Sequence, residues 1–429
     1  MKKIFTLFLM SILLVACSSS PESEGSGDKD GNEEVDEITA WAWDPKFNIA
    51  ALEVAKDAYK DENADLNVNV VENAQDDIVQ KLNTALGSGT TKGLPNIVLI
   101  EDYRAQSFLQ AFPDSFYELT DSFNASDFAE YKIAPTSFEG KNYGVPFDTG
   151  VTGLYVRTDY LEEAGYSIDD LQGIDWKEYI EIGKKVQEAT GKTFLTIDPS
   201  DLGIIRIMMQ SAGTWYVEED GVTPNLVNNE PLKAAMEVYK EMIDEGILKP
   251  HSDWNQFLAG FNSGDVVTVP TGNWMTPSVK AEESQAGNWA VAPIPKLDIS
   301  GAVNASNLGG SSWYVLNVPG AEQAADFLGK TFGSNVEMYE RLVSEIGAIG
   351  TYTPAAENNA YGTEDEFFSG QTIIADFAEW MEEIPGINYG MHTYAIDDII
   401  TVEMQNYLNG KDLDDVLSDA QKQAEAQLN

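Results

Sequence analysis

Thiols, imidazoles and basic side chains are scarce in this sequence, and each scarcity removes a class of function. One cysteine, Cys17, and two histidines, His251 and His392, are spread over 429 residues. A body without cysteine beyond position 17 builds no disulfide framework and suits an exported protein that avoids stray thiol chemistry. The two histidines stand far apart, and neither an HExxH run nor a cysteine cluster accompanies them, so no metal site is indicated. The GxSxG elbow of Ser/His hydrolases, the P-loop and the GxGxxG fingerprint are missing as well, and no cofactor is implied. Lys and Arg total 26 against 71 Asp and Glu, a formal net charge of −45. A surface this acidic repels nucleic acid and anionic lipid, and it disfavours anionic ligands unless a local basic pocket overrides the field. No Lys/Arg cluster in the body forms such a pocket, so a neutral or cationic ligand fits best. Solubility in a salty or alkaline medium accounts for the charge on its own. The run "NLGGSSW" is only a weak phosphate motif, and the charge opposes it.

What is present is enough apolar residue, 43%, and aromatic residue, 10%, for a packed body, and enough length for two domains. The chain opens "MKKIFTLFLMSILLVACSSS", in which two lysines precede an apolar run, 4–16, too short to span a bilayer as a mature helix. Leu14-Val15-Ala16-Cys17 resembles the bacterial lipobox. That resemblance implies removal of residues 1–16 as a signal peptide and lipid on Cys17; an ordinary secretory peptide with a chance cysteine is the alternative. Residues 17–37 then form a lipid-anchored acidic tether without apolar pattern. Asp28, Asp30 and Asn32 alternate as in a calcium loop, but Gly31 falls at the fourth position where an EF-hand needs glycine at the sixth.

Beyond the tether the patterns alternate between strand and helix. Residues 38–43 read as a strand, and Asn48 can cap a helix carrying Ile49, Leu52, Ala55 and Tyr59. Leu66, Val68 and Val70 alternate as a strand; Asp76 or Asp77 can begin a helix through Ile78, Leu82 and Leu86, with Gly87 at C′. The run "NIVLI" is a doubly buried strand. This β-α-β-α-β order predicts a parallel sheet, and ligands of such sheets bind outside the carboxyl ends of the strands. Trp43–Asp44 and "EDYR" emerge at those ends. Helical patterns also mark 176–189, 203–210 and 231–246. Three passages rich in Gly, Pro and Thr predict a chain that crosses three times between two α/β lobes, making a hinge that permits closure.

The lipobox, "KLNTALGSGTTKGLPNIVLIEDY", "YGVPFDTGVTGLYVRTDYLEEAGY", "FNSGDVVTVPTGNW" and "NLGGSSWYVL" together resemble the family 1 extracellular solute-binding lipoproteins of carbohydrate ABC importers, over about residues 38–425. One departure is Asn96 after Pro95, where the family commonly has Asp. The resemblance implies a two-lobed, type II periplasmic-binding-protein α/β fold without catalysis, akin to maltose-binding proteins and to lactose, arabinose or oligosaccharide branches. It implies a lipid-anchored monomer on the outer face of the cytoplasmic membrane, partnered by a carbohydrate and by permease subunits. The expected division assigns 38–148 and 271–317 to an N-terminal lobe, and 149–270 and 318–429 to a C-terminal lobe.

A sugar ring has an apolar C–H face and a girdle of hydroxyls, so its site needs aromatic faces interleaved with planar polar groups. Trp43 with Asp44, and Asp102 with Tyr103, stand at strand ends. Asp148 and Thr149 in "VPFDTG" lie at the first crossing, and Asn273 and Trp274 in "TGNW" at the second. Gly310 and Ser311 in "GGSSW" offer backbone N–H groups and a hydroxyl. Trp215 in "SAGTWY", Tyr389 in "INYGMHTY", Trp254 and Tyr352 complete the candidates. Each has a packing alternative: Trp215 can cover a lobe core, Trp313 reads as core, and Arg104 can pair with a neighbouring acid. Two rivals stay open. A surface glycoside hydrolase needs two carboxylates about 5–10 Å apart, which so many acids can supply. A binder of a polyamine or betaine would use the same aromatic and acidic groups as a cage.

Overall fold

Strand and helix alternate over the first hundred residues because each short apolar run needs a cover on both faces. The computed structural model describes residues 34–60, 62–357 and 361–428. The expected leader, Cys17 and the tether up to residue 33 lie outside them. Strands β1 (Glu37–Ala42), β2 (Asn67–Glu72) and β3 (Ile97–Glu101) pair in parallel, in the order β2-β1-β3. Side chains on β3 alternate as a pleated strand requires. Ile97 and Leu99 join a core with α1 (Asn48–Tyr59), while Val98 and Ile100 join one with α2 (Gln75–Gly87) and α3 (Asp102–Ala111). Full burial of an aliphatic side chain such as Leu52 contributes roughly 1.5–3 kcal/mol.

Three local expectations are corrected. Asn48 is the first helical residue of α1 rather than its cap, and Gln75 rather than Asp76 or Asp77 opens α2. Gly87 stays helical, and the left-handed turn falls on Gly89, φ +68°. The sheet is also not wholly parallel. After helix α4 (Glu130–Thr136), a small hairpin of β4 (Ser137–Phe138) and β5 (Lys141–Asn142) leads to β6 (Gly144–Pro146) at the edge of this sheet. Between β6 and β3 lies a late strand, antiparallel to both, Ser311–Val315.

The second sheet takes β7 (Thr152–Arg157), β8 (Thr193–Ile197), β9 (Leu248–Pro250), β10 (Val266–Gly272) and β11 (Trp289–Pro293), in the order β11-β7-β10-β8-β9. The strand at Ser311–Val315, β12, belongs to the first sheet. This changes the lobe boundaries: β11, inside the 271–317 segment expected in the N-terminal lobe, pairs with β7 of the second sheet. The helices Ala321–Lys330 and Val336–Ile346, expected in the C-terminal lobe, pack on the first. Tyr59 of α1 meets Phe327 edge-on at 5.2 Å and donates to Asp326 at 2.5 Å, and Arg341 pairs with Asp57 at 3.0 Å. A Gly/Pro-rich passage marks a turn in sequence; which sheet receives the next strand is decided by non-local pairing that periodicity does not encode.

Between the sheets, segments 147–151, 306–308 and 349–351 run side by side. Asp148 bridges Gly350, and Val151 bridges Asn307. Leu308 N–H donates to Gly150 O at 2.8 Å, and Gly150 N–H to Asn307 Oδ1 at 3.0 Å. A Cβ on Gly150 would lie 2.2 Å from Leu308 O, so only glycine admits this approach.

Asn96 explains itself through both ends of its amide. Its Oδ1 accepts from Thr39 N–H at 3.0 Å and its Nδ2 donates to Pro319 O at 2.7 Å, tying β1 to the turn after β12. A carboxylate can only accept. Asn96→Asp is therefore expected to lower stability by about 1–3 kcal/mol at neutral pH, read as a fall in the urea midpoint; an unchanged midpoint would show the amide donor to be dispensable.

Candidate functional site

The carboxyl ends of β1 and β3 open onto a cleft of about 1060 Å³ between the two sheets, with the junction segments as its floor. Strand β1 ends because the chain turns sharply at Asp44, whose φ of +57° is a conformation that Asp tolerates better than most residues. The turn is held by Asp44 itself, which accepts Lys46 N–H on Oδ1 at 3.0 Å and Ile49 N–H on its carbonyl at 3.1 Å. Trp43 is carried to the cleft wall just before this turn, and Phe47 and Asn48 follow it. Glu101, at the end of β3, completes the first wall. It accepts Tyr394 O–H from across the cleft at 2.7 Å, and Arg104, 3.5 Å from it, lies over the Tyr394 ring at 4.1 Å.

The second wall combines an aromatic shelf with an ion-pair network. Trp254, capped onto its helix by Asp253, is 51% exposed and stacks on Trp274 with rings 30° apart and centroids at 6.1 Å. The Trp274 indole N–H donates to Leu308 O at 3.0 Å, and its ring lies so close to Gly272 that a Cβ there would approach to 2.2 Å. Beside the shelf, Arg206 reaches Asp201 at 2.7 Å and pairs with Asp397, which also accepts Tyr216 O–H at 2.5 Å. Burial opposes the guanidinium's charge, but Asp397 and Asp201 outweigh it and raise its pKa.

The floor is made by Asp148, Tyr103 and 308–311. Asp148 Oδ1 accepts both the N–H and the hydroxyl of Ser311 at 2.6 Å. Burial pushes its carboxyl up to about 6, against the pull of Lys132 and Ser311. Tyr103 touches the cleft but buries its ring among second-lobe aromatics, 5.2 Å from Trp215 and 4.7 Å from Tyr389.

Of the candidates read from sequence, Trp43, Asp44, Tyr103, Asp148, Trp254, Trp274, Gly310 and Ser311 converge on this cleft. Six others do not line it. Asp102 is fully buried against Lys132 and accepts Ser312 O–H at 3.0 Å. Thr149 bonds Tyr131 O–H and Val151 N–H inside the junction between the sheets. Trp215 donates to Thr393 at 2.9 Å within the second core, and Tyr389 accepts from Asn307 Nδ2 at 3.2 Å beside it. Asn273 is buried with its backbone N–H on Val151 O at 2.8 Å, and Tyr352 stacks on Tyr339 at 5.4 Å. In each case a neighbouring element covers a side chain whose local sequence looked like a lip. Sequence reading placed Glu101 at a strand end within "EDYR" without making it a candidate, and it missed Asp198, Asp201, Arg206, Tyr394 and Asp397. One signal was available: Arg206 is the lone charge in the otherwise apolar "GIIRIMM", and a charge there needs a partner.

Asp148 carries a pH signature. An acid whose native pKa lies above its unfolded value holds a proton more tightly when folded, so stability falls as pH rises from about 4 to 6. Asp148→Asn is expected to gain on the wild type by about 2 kcal/mol between pH 4.5 and 7.5, measured as the difference in Tm across that range. A difference that stays constant with pH would remove Asp148 as the titrating group.

A family model described as bacterial extracellular solute-binding protein matches residues 55–368. The lactose-binding protein of Rhizobium radiobacter is 46% identical over 393 residues, covering 91% of this chain and 93% of its own. The arabinooligosaccharide-binding protein of Bacillus subtilis is 24% identical, over 88% of this chain and 87% of its own. Among solved structures, the GacH receptor of Streptomyces glaucescens superimposes with a TM-score of 0.74 at 20% identity, covering 92% of this chain and 99% of that one. The ABC transporter associated binding protein from B. animalis subsp. lactis, solved with beta-1,6-galactobiose, gives 0.71 at 23% identity, covering 92% and 98%. These superpositions carry the two-lobed α/β fold. With the family model spanning most of the chain, and a relative nearly half identical running through the whole body, this chain is a member of the bacterial extracellular solute-binding proteins.

Proposed function

We propose that this protein captures a neutral mono- or oligosaccharide between its lobes and delivers it to the membrane subunits of an ABC importer. One observation carries the reading: aromatic faces stand on both walls, Trp43 opposite the Trp254–Trp274 shelf, with planar acids and amides between them. Such an array fits the C–H faces and hydroxyl edges of a pyranose, and large rigid aromatics supply contact area at low entropic cost. Several relatives are named for sugars, and lactose, named for the 46% identical relative, is the first candidate. In this reading Trp43, Trp254 and Trp274 stack on the sugar, and Asp44, Asp148 and Ser311 bond its hydroxyls. The three chain passages 147–151, 306–308 and 349–351 act as the hinge. A ligand touching both lobes favours the closed state by its differential contacts. The reading extends to lipid on Cys17, a position outside the cytoplasmic membrane, a monomeric state and no turnover of the bound sugar.

A thermal-shift panel of lactose, galactobiose, arabino-, xylo- and maltodextrins tests the claim. A ligand at 100 times its Kd adds about 2.7 kcal/mol of apparent stability. At least one sugar is expected to raise Tm, whereas stabilisation by betaine or spermidine alone would favour the cationic-solute reading. Trp254→Ala is expected to weaken the sugar that binds by at least about tenfold while leaving the fold intact, since the ring is half exposed. Wild-type affinity in that variant would take Trp254 out of the site. Small-angle scattering should show a smaller radius of gyration with sugar, and an unchanged radius at saturation would contradict closure.

A further inference from the structure

The cleft is rich in hydrogen-bond acceptors and poor in cations. Asp44 and Glu101 face it from the first lobe, and Asp198, Asp201, Asp397 and Asp398 from the second. Asp148 on the floor adds charge of the same sign, whereas Glu345, which also lines the cleft, is paired with Arg341 at 2.8 Å. Among the described residues, three basic side chains line the cleft: Lys46, Arg206 and His251. Arg206 is already paired with Asp201 and Asp397. Burial depresses the pKa of His251, whose Nδ1 meets Thr196 at 2.9 Å, so it is neutral near pH 7. Lys46 lies in the Asp44 turn, where its backbone N–H donates to Asp44 Oδ1, and its ammonium makes no ion pair among the described residues, so it is the one cation lining the cleft that the walls do not neutralise.

An independent feature points the same way. Asn48 lines the first wall, is only 4% exposed, and its Oδ1 has no hydrogen-bond partner. A buried amide oxygen left unpaired costs about 1–3 kcal/mol, which a guest's donor recovers where the wall shifts to uncover the oxygen. Asp44, Asp198 and Asp398 make no ion pair among the described residues. Carboxylates line both facing walls, and charges of one sign add their fields over a Debye length of roughly 8 Å at physiological salt. An ammonium brings three donors and the complementary charge; a carboxylate brings acceptors only and the same sign.

Building on the sugar reading, we infer that the cleft selects its glycans by charge and donor count: it binds amine-bearing rings more tightly than their hydroxyl counterparts and rejects uronic acids. The selective groups are Asp44, Asp198, Asp398 and the unpaired Asn48 oxygen.

Calorimetry at pH 6.5 with the full-length protein tests this on two matched sets, galactose with galactosamine and galacturonate, and glucose with glucosamine and glucuronate, alongside lactose. In the series that binds, the amine is expected to bind at least five times tighter than the neutral sugar and the uronate at least ten times weaker. Raising NaCl from 50 to 500 mM should shrink both gaps, and the double variant Asp198→Asn, Asp398→Asn should narrow them further. Neutral sugar that binds while the uronate matches it, or while the amine gains nothing, overturns the charge rule and leaves the proposed function standing. Absence of binding by every sugar, lactose included, overturns both.

Discussion

One buried ammonium, Lys132, sits where the first sheet, the floor of the cleft and the junction segments meet. It is fully enclosed, and taking such a charge out of water costs several kcal/mol unless it is paired and its donors are filled. Asp102 at the start of α3 pairs with it, and Ser311 O accepts from it at 3.0 Å. Ser311 in turn donates twice to Asp148, and Ser312 donates to Asp102. One cation therefore fixes the positions of α3, α4, β12 and the first junction segment against one another. A buried pair of this kind is weak grounds for added stability, since an apolar core of the same shape would serve as well. Its consequence is geometric: breaking it leaves an uncompensated charge in the interior, so alternative packings of the floor are disfavoured.

That constraint divides the acids at the strand ends into two kinds. Asp102, one residue past β3, is committed to Lys132, whereas Glu101 beside it reaches across to Tyr394 on the other lobe. On the second lobe Arg206 repeats the pattern, since its guanidinium is committed to Asp201 and Asp397 and keeps them rigid at the cleft surface. Preorganised carboxylates of this sort lose little conformational freedom when a guest arrives, which is the main cost a binding site can reduce in advance. The aromatic shelf obeys the same logic. Trp274 is pinned by its indole N–H on Leu308 and by the absence of a side chain at Gly272, and it supports the more exposed Trp254.

Local rules made much of this legible. The order β1-α1-β2-α2-β3 and the helices over 176–190 and 230–244 follow from apolar spacing, because each helix buries one stripe and each strand one or two faces. The lip positions of Trp43 and Asp44 follow from the parallel β-α-β order, since ligands of such sheets sit beyond the strands' carboxyl ends. What escaped was whatever depends on partners distant in sequence. Segment 271–317 was assigned to one lobe because its turns resemble a crossing, but β11 finds β7, and the return happens only between β11 and β12. Trp215 and Tyr389 look like lip aromatics until the helix Thr393–Leu408 brings Thr393 over them. Tyr394 and Asp397 escaped for the complementary reason, since only the fold turns their end of the helix Thr393–Leu408 toward the cleft, and Arg206, marked locally as a lone charge, receives its place from the same packing.

The acidity of the whole chain acquires a sharper meaning at this site. A net charge of −45 alone says only that the surface is well solvated. A protein so acidic could still have reserved its few cations for the cleft, as a receptor for an anionic solute would require. Here Lys132 is sealed beneath the floor, and Arg206 is held between two carboxylates in the wall. The buried cations thus organise the cleft from within, while acceptors and aromatic faces line it. A cleft built this way discriminates through donors, which every hydroxyl of a sugar possesses and a carboxylate lacks. Selection by hydrogen-bond donors and selection by charge then come from the same side chains.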